Sequence, residues 1–292
     1  VVDLRNNGGG HLSEATSLTG LFIETGPVVQ LRETSGRIEV LDDPEPGVEW
    51  DGPLVVLVNR ASASASEIFA GAVQDYGRGI VVGQQTFGKG SVQSLYPLDR
   101  YALGPRAGLG QLTVTIGKYY RVTGDSTQHR GVTPDIELPS PLSASAIGES
   151  TRPSALPWDR IRPADFSPAA GPAAGVDLLA RVHQMRADND PDFQALIADI
   201  DSVERLRGRE TISLNLERRR AERAALEVER LTRENERRAA RDLPPLESLE
   251  ALDSAEQSDA LLAEAGEIAA DLFLASLPSG GAILAQHLQR EP

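Results

Sequence analysis

Short apolar runs alternate with amphipathic stretches over roughly the first 140 residues of the chain, and the pattern then changes. Residues 1–4 (VVDL), 53–58 (PLVVLV), 79–82 (GIVV) and 112–116 (LTVTI) are too short for helices and rich in β-branched side chains, so they predict strands, and the last three read as buried ones. Between them, Leu18, Leu21 and Phe22 share one side of a helix expected over about 13–23. Ile68, Phe69, Ala72 and Val73 recur at helical spacing over about 66–76. Glycine and proline mark nearly every junction. This is the pattern of a mixed α/β unit over residues 1–139. Residues 140–174 are rich in Pro, Ser and Ala and read as a linker or irregular wrap. Residues 175–292 read as a helical domain. Short stripes at Leu178, Leu179, Val182 and at Phe193, Leu196, Ile197, Ile200 precede an Arg/Glu-rich helix over about 214–241 and an amphipathic one over about 258–277.

Composition narrows the function classes. The 292 residues carry a net charge of −14, which makes nucleic acid an unsuitable general partner. No uncharged apolar run approaches the roughly 18 residues of a membrane span. With no cysteine, thiol catalysis, disulfides and Cys-ligated metals are excluded. No His, Asp and Glu cluster has metal-ligand spacing, so neither a metal nor another cofactor is expected. Of the 29 basic residues only Lys89 and Lys118 are lysines. Arg cannot give up its proton, whereas Lys can, so a lysine kept in an arginine-rich chain is a candidate base.

Three segments carry candidate chemistry. In residues 59–68 (NRASASASEI) an apolar strand ends, small residues turn, and a helix begins. Such a turn can expose a serine beside the free N–H groups of a helix N-terminus. The same letters, Ser64 to Glu67, also fit an S-x-x-E capping box. Residues 86–93 (TFGKGSVQ) hold Lys89 between glycines, with the neutral amide of Gln93 four residues on. A desolvated lysine can serve a serine as base. Residues 83–89 also match the G-x-x-x-x-G-K of a phosphate-binding loop, but glycine follows the lysine, and what comes next reads as a strand ending at Pro97. A histidine-based triad would draw on His11, His129, His183 or His287, none of which lies in a motif pointing at a serine. Residues 3–10 (DLRNNGGG) form a glycine turn after a strand: an oxyanion donor in the making, or a flexible turn.

Taken together these words resemble the C-terminal processing peptidases, and within them the bacterial tail-specific branch. The matching stretches are DLRNNGGG, PLVVLV, SASASEIFA (62–70), QDYGR (74–78), TFGKGSVQ and KYYRVTGDSTQHRGVTPDI (118–136), in the family's order. The tail words ALPWDRI (155–161) and DPDFQALIADI (190–200) resemble that branch's C-terminal extension. The resemblance implies a crotonase- or Clp-protease-like layered core followed by a mainly α-helical C-terminal domain. It implies a serine endopeptidase with Ser64 as nucleophile, Lys89 as general base and Gln93 positioning that base. It further implies an oxyanion hole from the N–H groups of Ala65 and of Gly9 or Gly10. Asp75 matches an aspartate implicated in the branch, or else forms a structural ion pair with Arg78; Lys118 has no counterpart. Implied partners are proteins or peptides with apolar C-termini and an adaptor protein, in the periplasm. The family places a helical region and a PDZ domain ahead of the core, and neither is in these residues. The sequence-based expectation is therefore a core incomplete at its N-terminal end, with little turnover of its own. The competing expectation is a non-catalytic module that only packs or binds partners.

Overall fold

The computed structural model describes residues 1–290 except 102–103, 105–107, 143–145, 170–174 and 255–257; the parts of the expected linker at 143–145 and 170–174 thus lie outside the described residues. The chain divides into two compact units, Val1–Glu137 with Leu142–Gly175, and Leu138–Pro141 with Val176–Pro292.

The first unit contains β1 (Val2–Asp3), α1 (Leu12–Gly20), β2 (Pro27–Glu33), β3 (Ile38–Asp42), β4 (Val55–Val58), α2 (Ala65–Asp75), β5 (Ile80–Gly83), β6 (Ser91–Pro97), β7 (Gln111–Tyr120) and β8 (Ile136–Glu137). One sheet runs β1-β4-β5-β8 and its strands are parallel. Its central strands, VVLV and IVVG, are buried throughout, as unbroken apolar runs must be when both faces are covered. The other sheet runs β3-β2-β7-β6 and is antiparallel. Helix α2 lies between the sheets, which is why its apolar positions run round more than one face. Phe69, Ala70 and Val73 pack with Val56, Val58 and Val81. Ile68, Ala72 and Tyr76 pack with Val28, Val29, Tyr119 and Val122. Losing a ring such as Phe69 from this layer would cost about 3–5 kcal/mol. The double packing fixes both ends of α2, and its N-terminal end is where the site lies.

One expectation is corrected. The run LTVTI forms a strand, but not a buried one: Leu112 is 51% and Val114 37% exposed. The reason is topological. Strand β2 pairs with β7 only from Gly117 to Tyr120, so the first half of β7 has β6 alone as a neighbour and forms a projecting hairpin. Only the second half of β7 enters the core.

Described residues of the segment 142–175 are fastened to the same unit. Arg60 Nε donates to the Ile147 carbonyl at 2.5 Å, Gln30 Nε2 to the Arg162 carbonyl at 3.2 Å, and Trp158 Nε1 to the Ser126 carbonyl at 2.8 Å.

The second unit is helical: α3 (Val176–Asn189), α4 (Pro191–Arg207), α5 (Leu216–Ala240), α6 (Leu249–Ser254), α7 (Ala260–Ser276) and α8 (Gly280–Arg290). Asp190 caps α4 by accepting from the N–H groups of Asp192 and Phe193, with Pro191 where its missing N–H costs nothing. Leu179, Val182, Phe193, Ile200, Ile268 and Leu272 are its core. His183 is buried there against Glu264 at 2.9 Å, and Arg186 joins Glu264 at 2.7 Å and Asp271 at 2.9 Å. Helix α5 has no buried residue among those described; its side chains form exposed Arg–Glu pairs such as Arg223–Glu227.

Candidate active site

Strand β4 ends at Val58 and α2 begins at Ala65, leaving six residues to reverse direction. The turn is tied internally by Ser62, whose Oγ accepts from the Asn59 N–H at 2.9 Å and donates to the Leu4 carbonyl at 2.7 Å. Ser64 closes the turn at φ 59°, ψ −115°. That conformation is rare for a residue with a side chain and costs about 1–3 kcal/mol, so its surroundings must hold it. Ala65, as first residue of the helix, has an N–H that no preceding helical carbonyl can reach. The half-buried serine thus stands next to a free helix terminus.

The residue that holds this turn is Glu67, completely buried in the first turn of α2. Its carboxylate accepts from the Ser64 N–H at 2.8 Å, which is the glutamate half of the expected capping box. It also accepts from the Lys89 N–H at 2.9 Å, the Gly88 N–H at 2.7 Å and the Thr86 hydroxyl at 2.6 Å. One carboxylate therefore joins the serine turn to the lysine loop. Burial pushes Glu67 up to about 7, against these four donated bonds, which favour its charge. On the carbonyl side, the Tyr119 hydroxyl reaches the Ser64 carbonyl at 3.2 Å and also bonds the Lys89 carbonyl.

The loop carrying Lys89 needs both of its glycines. Gly88 has φ +89°, and a Cβ there would stand 2.8 Å from the backbone of His129; at Gly90 it would stand 2.8 Å from the Gln128 nitrogen. Lys89 Nζ donates to Gln93 Oε1 at 3.5 Å, and the register shift between Val92 and Gln93 turns that side chain relative to the rest of β6. No hydrogen bond joins Ser64 Oγ to Lys89 Nζ among the described residues; such contacts commonly tighten only once substrate is bound. Residues 91–97 form a strand, which removes the phosphate-loop alternative, since that loop must open a helix. His129 Nε2 meets the Leu156 carbonyl at 2.6 Å, and His11 sits before α1, so neither is bonded to Ser64. Among the described residues no group of His, Asp and Glu could hold a metal, and no helix is long and apolar enough to cross a membrane.

The glycine turn lies against the serine turn. The Ala63 N–H donates to the Asn7 carbonyl at 3.0 Å. Gly9 has φ +97°, and a Cβ there would stand 2.6 Å from the Ala63 carbonyl oxygen and 2.8 Å from Ser64 Cβ. The Gly9 N–H, however, is engaged by Asn7 Oδ1 at 2.9 Å, whereas no bond from the Gly10 N–H is present among the described residues. Asp75 lies at the far end of α2, roughly 15 Å along the helix from Ser64. Its partner is Arg121, with Nε at 2.9 Å, and not Arg78, which donates to the carbonyls of Phe22 and Trp50. Burial raises Asp75 despite Arg121. Glu67 and Tyr119 are the residues sequence reasoning passed over. Glu67 was visible as the last letter of S-x-x-E; Tyr119 had no local signal.

Residues 1–138 match peptidase family S41, and residues 142–273 match the C-terminal domain of tail specific protease. The chain is 42% identical over 278 residues to the tail-specific protease of Haemophilus influenzae, covering 94% of this chain and 40% of that protein. It is 43% identical over 143 residues to the carboxy-terminal-processing protease of Bartonella bacilliformis, covering 49% of this chain and 31% of that one. Among solved structures, the photosystem II D1 C-terminal processing protease is 34% identical, covers 49% of this chain and 35% of its own, and aligns with a TM-score of 0.41. The chain therefore spans well under half the length of these relatives.

Proposed function

The chain belongs to peptidase family S41 through residues 1–138, and we propose that it carries a serine endopeptidase centre with Ser64 as nucleophile and Lys89 as general base. The observation that carries the reading is Glu67, which binds the Ser64 and Lys89 main chains through one buried carboxylate although the two residues lie 25 positions apart. A structural cap needs only the first of those bonds.

In the proposed mechanism Ser64 Oγ attacks the scissile carbonyl carbon and its proton passes to Lys89 Nζ. The oxyanion is met by the N–H groups of Ala65 and Gly10, Gly9 serving through its shape because its own N–H is engaged. The intermediate collapses as the C–N bond breaks and the leaving amine takes the proton from Lys89. Water then attacks the acyl-enzyme, giving its proton to Lys89, and Ser64 recovers that proton as the acid departs. Gln93 orients the amine as a neutral acceptor, so it holds Lys89 without charging it. Asp75 serves at a distance, by anchoring α2 to Arg121. The proposed substrates are proteins with apolar C-termini, met in the periplasm with or without an adaptor, as the relatives' names suggest tail-directed cleavage.

The test is prolonged digestion of a peptide ending in apolar residues, with even slowly formed products identified by mass. Cleavage is expected to vanish in Ser64→Ala and to be indifferent to a chelator. Cleavage that survives Ser64→Ala, or that stops on chelation, would overturn the reading.

A further inference from the structure

We infer that the Tyr119 hydroxyl is a positioning group for this centre: it ties the Ser64 carbonyl to the Lys89 carbonyl and so fixes how the two residues face one another. The inference rests on the Ser64–Lys89 reading proposed above.

The main-chain bonds carry it. The N–H groups of Ser64 and Lys89 both end on Glu67, at 2.8 and 2.9 Å. The Tyr119 hydroxyl reaches both of their carbonyls: at 3.2 Å for Ser64, whose carbonyl also accepts from the Glu67 and Ile68 N–H groups at 2.8 and 3.0 Å, and by a shorter bond for Lys89. Four main-chain groups from two distant segments thus converge on two side chains. A single attachment at the N–H side would leave Lys89 free to rotate about it, relative to a Ser64 that its own helix also holds. The second, on the carbonyl side, removes that freedom. The need is greatest at Lys89, whose carbonyl has no other hydrogen bond among the described residues.

Tyr119 is suited to the task. It is buried in the core cluster with Val28, Ile68 and Val122, and its ring has only two torsions. Its own N–H donates to the Gly90 carbonyl at 2.9 Å, so its backbone is anchored to the residue after Lys89. Burial, together with the nearby Glu67 carboxylate, holds the phenol well above its usual range, so it remains a donor. One O–H carries one hydrogen, which the two carbonyls share. A purely structural tyrosine would satisfy its hydroxyl with one carbonyl. Tyr76 does so, donating to the Pro27 carbonyl at 2.9 Å from a buried position in the same cluster.

That pair supplies the experiment. The rate of covalent labelling by a fluorophosphonate is measured for the wild type, Tyr119→Phe and Tyr76→Phe, at matched folded concentration, with the modified residue located by mass. Each variant loses one buried hydroxyl, shared by two carbonyls at Tyr119 and bonded to one at Tyr76, so both melting temperatures should fall. Tyr119→Phe is expected to lower the limiting labelling rate about ten- to a hundred-fold, the scale on which misplaced reacting groups act, with half-saturating probe concentration unchanged. Tyr76→Phe should label at the wild-type rate. Equal labelling of Tyr119→Phe and wild type would overturn the inference while leaving Ser64 as nucleophile. Equal slowing of both variants would make the effect structural and overturn it too. A folded wild type that is not labelled at Ser64 would overturn the underlying reading, and this inference with it.

Discussion

Lys118 shows how a residue with no expected role acquires one from its surroundings. The sequence gives it no catalytic counterpart, so replacement by arginine reads as silent. In the structure it is only 8% exposed, donates to the Pro157 carbonyl at 2.6 Å, and pairs with Asp159. Arg32 reaches the same carboxylate at 2.6 Å. A guanidinium must be seated where an ammonium fitted. Lys118→Arg is therefore expected to lower stability by about 1–3 kcal/mol, as overpacking does. Denaturant titration checks this, and the labelling rate of the folded fraction should be unchanged. Glu67 supplies a pH prediction. Its carboxyl, pushed up to about 7 by burial, binds its proton more tightly folded than unfolded. Its contribution to stability is thus full below the unfolded value near 4.5 and is lost as pH rises through about 7. The site responds in the opposite sense. All four neighbours of Glu67 are donors, so a protonated carboxyl must turn one of them away. Ser64 labelling is expected to rise with pH through about 7, and a rate flat from about pH 6 to 8 would refute this.

At the scale of elements, α2 couples the site to the rest of its unit. Its first turn carries Glu67, and its last residue, Asp75, is held by Arg121 just beyond β7. Removing one partner of a buried pair strands the other charge, at a cost of about 3–5 kcal/mol. Asp75→Asn is thus expected to lower the melting temperature markedly while folded molecules still label at Ser64. Loss of labelling at full stability would instead give Asp75 a direct part in the chemistry. Such elements differ in how far the sequence reveals them. PLVVLV and GIVV are legible as strands because both faces are covered and the apolar run is unbroken. The helix over 65–75 is legible from its spacing and its small-residue lead-in. LTVTI has the same letters as a buried strand, yet its burial depends on whether β2 extends alongside, which is a matter of register between distant segments. The meeting of 62–67 with 86–93 is suggested by a turn, two glycines and a rare lysine. What joins them is less visible. Glu67 shows only a local cap, Tyr119 shows only a strand, and the Arg121 that meets Asp75 lies 46 residues away.

At the scale of the whole molecule, the α/β unit is not closed by residues 1–137 alone. The described parts of 142–175 pack on it through Arg60, Gln30, Lys118 and Ser126. Trp158 is the largest of these anchors. Its Nε1 donates to the Ser126 carbonyl at 2.8 Å, and the Arg130 guanidinium lies 3.8 Å from its ring centre. Because the ring is only half-buried, Trp158→Ala is expected to cost about 2–3 kcal/mol, less than a fully buried ring. Calorimetry should show the loss in the transition of the α/β unit. The helical unit has its own core and its own buried His183–Glu264–Arg186 network.

The central claim is that Ser64 reacts because Lys89 takes its proton. The most direct measurement is the intact-protein mass after exposure to a fluorophosphonate, for the wild type and for Lys89→Arg at equal folded concentration. Guanidinium remains protonated and cannot accept a proton, and Lys89, unlike Lys118, is only half-buried, which leaves room for the larger group. The predicted result is one adduct, on Ser64, in the wild type and none in Lys89→Arg. Equal labelling of the two, or an adduct on another residue, would contradict the account.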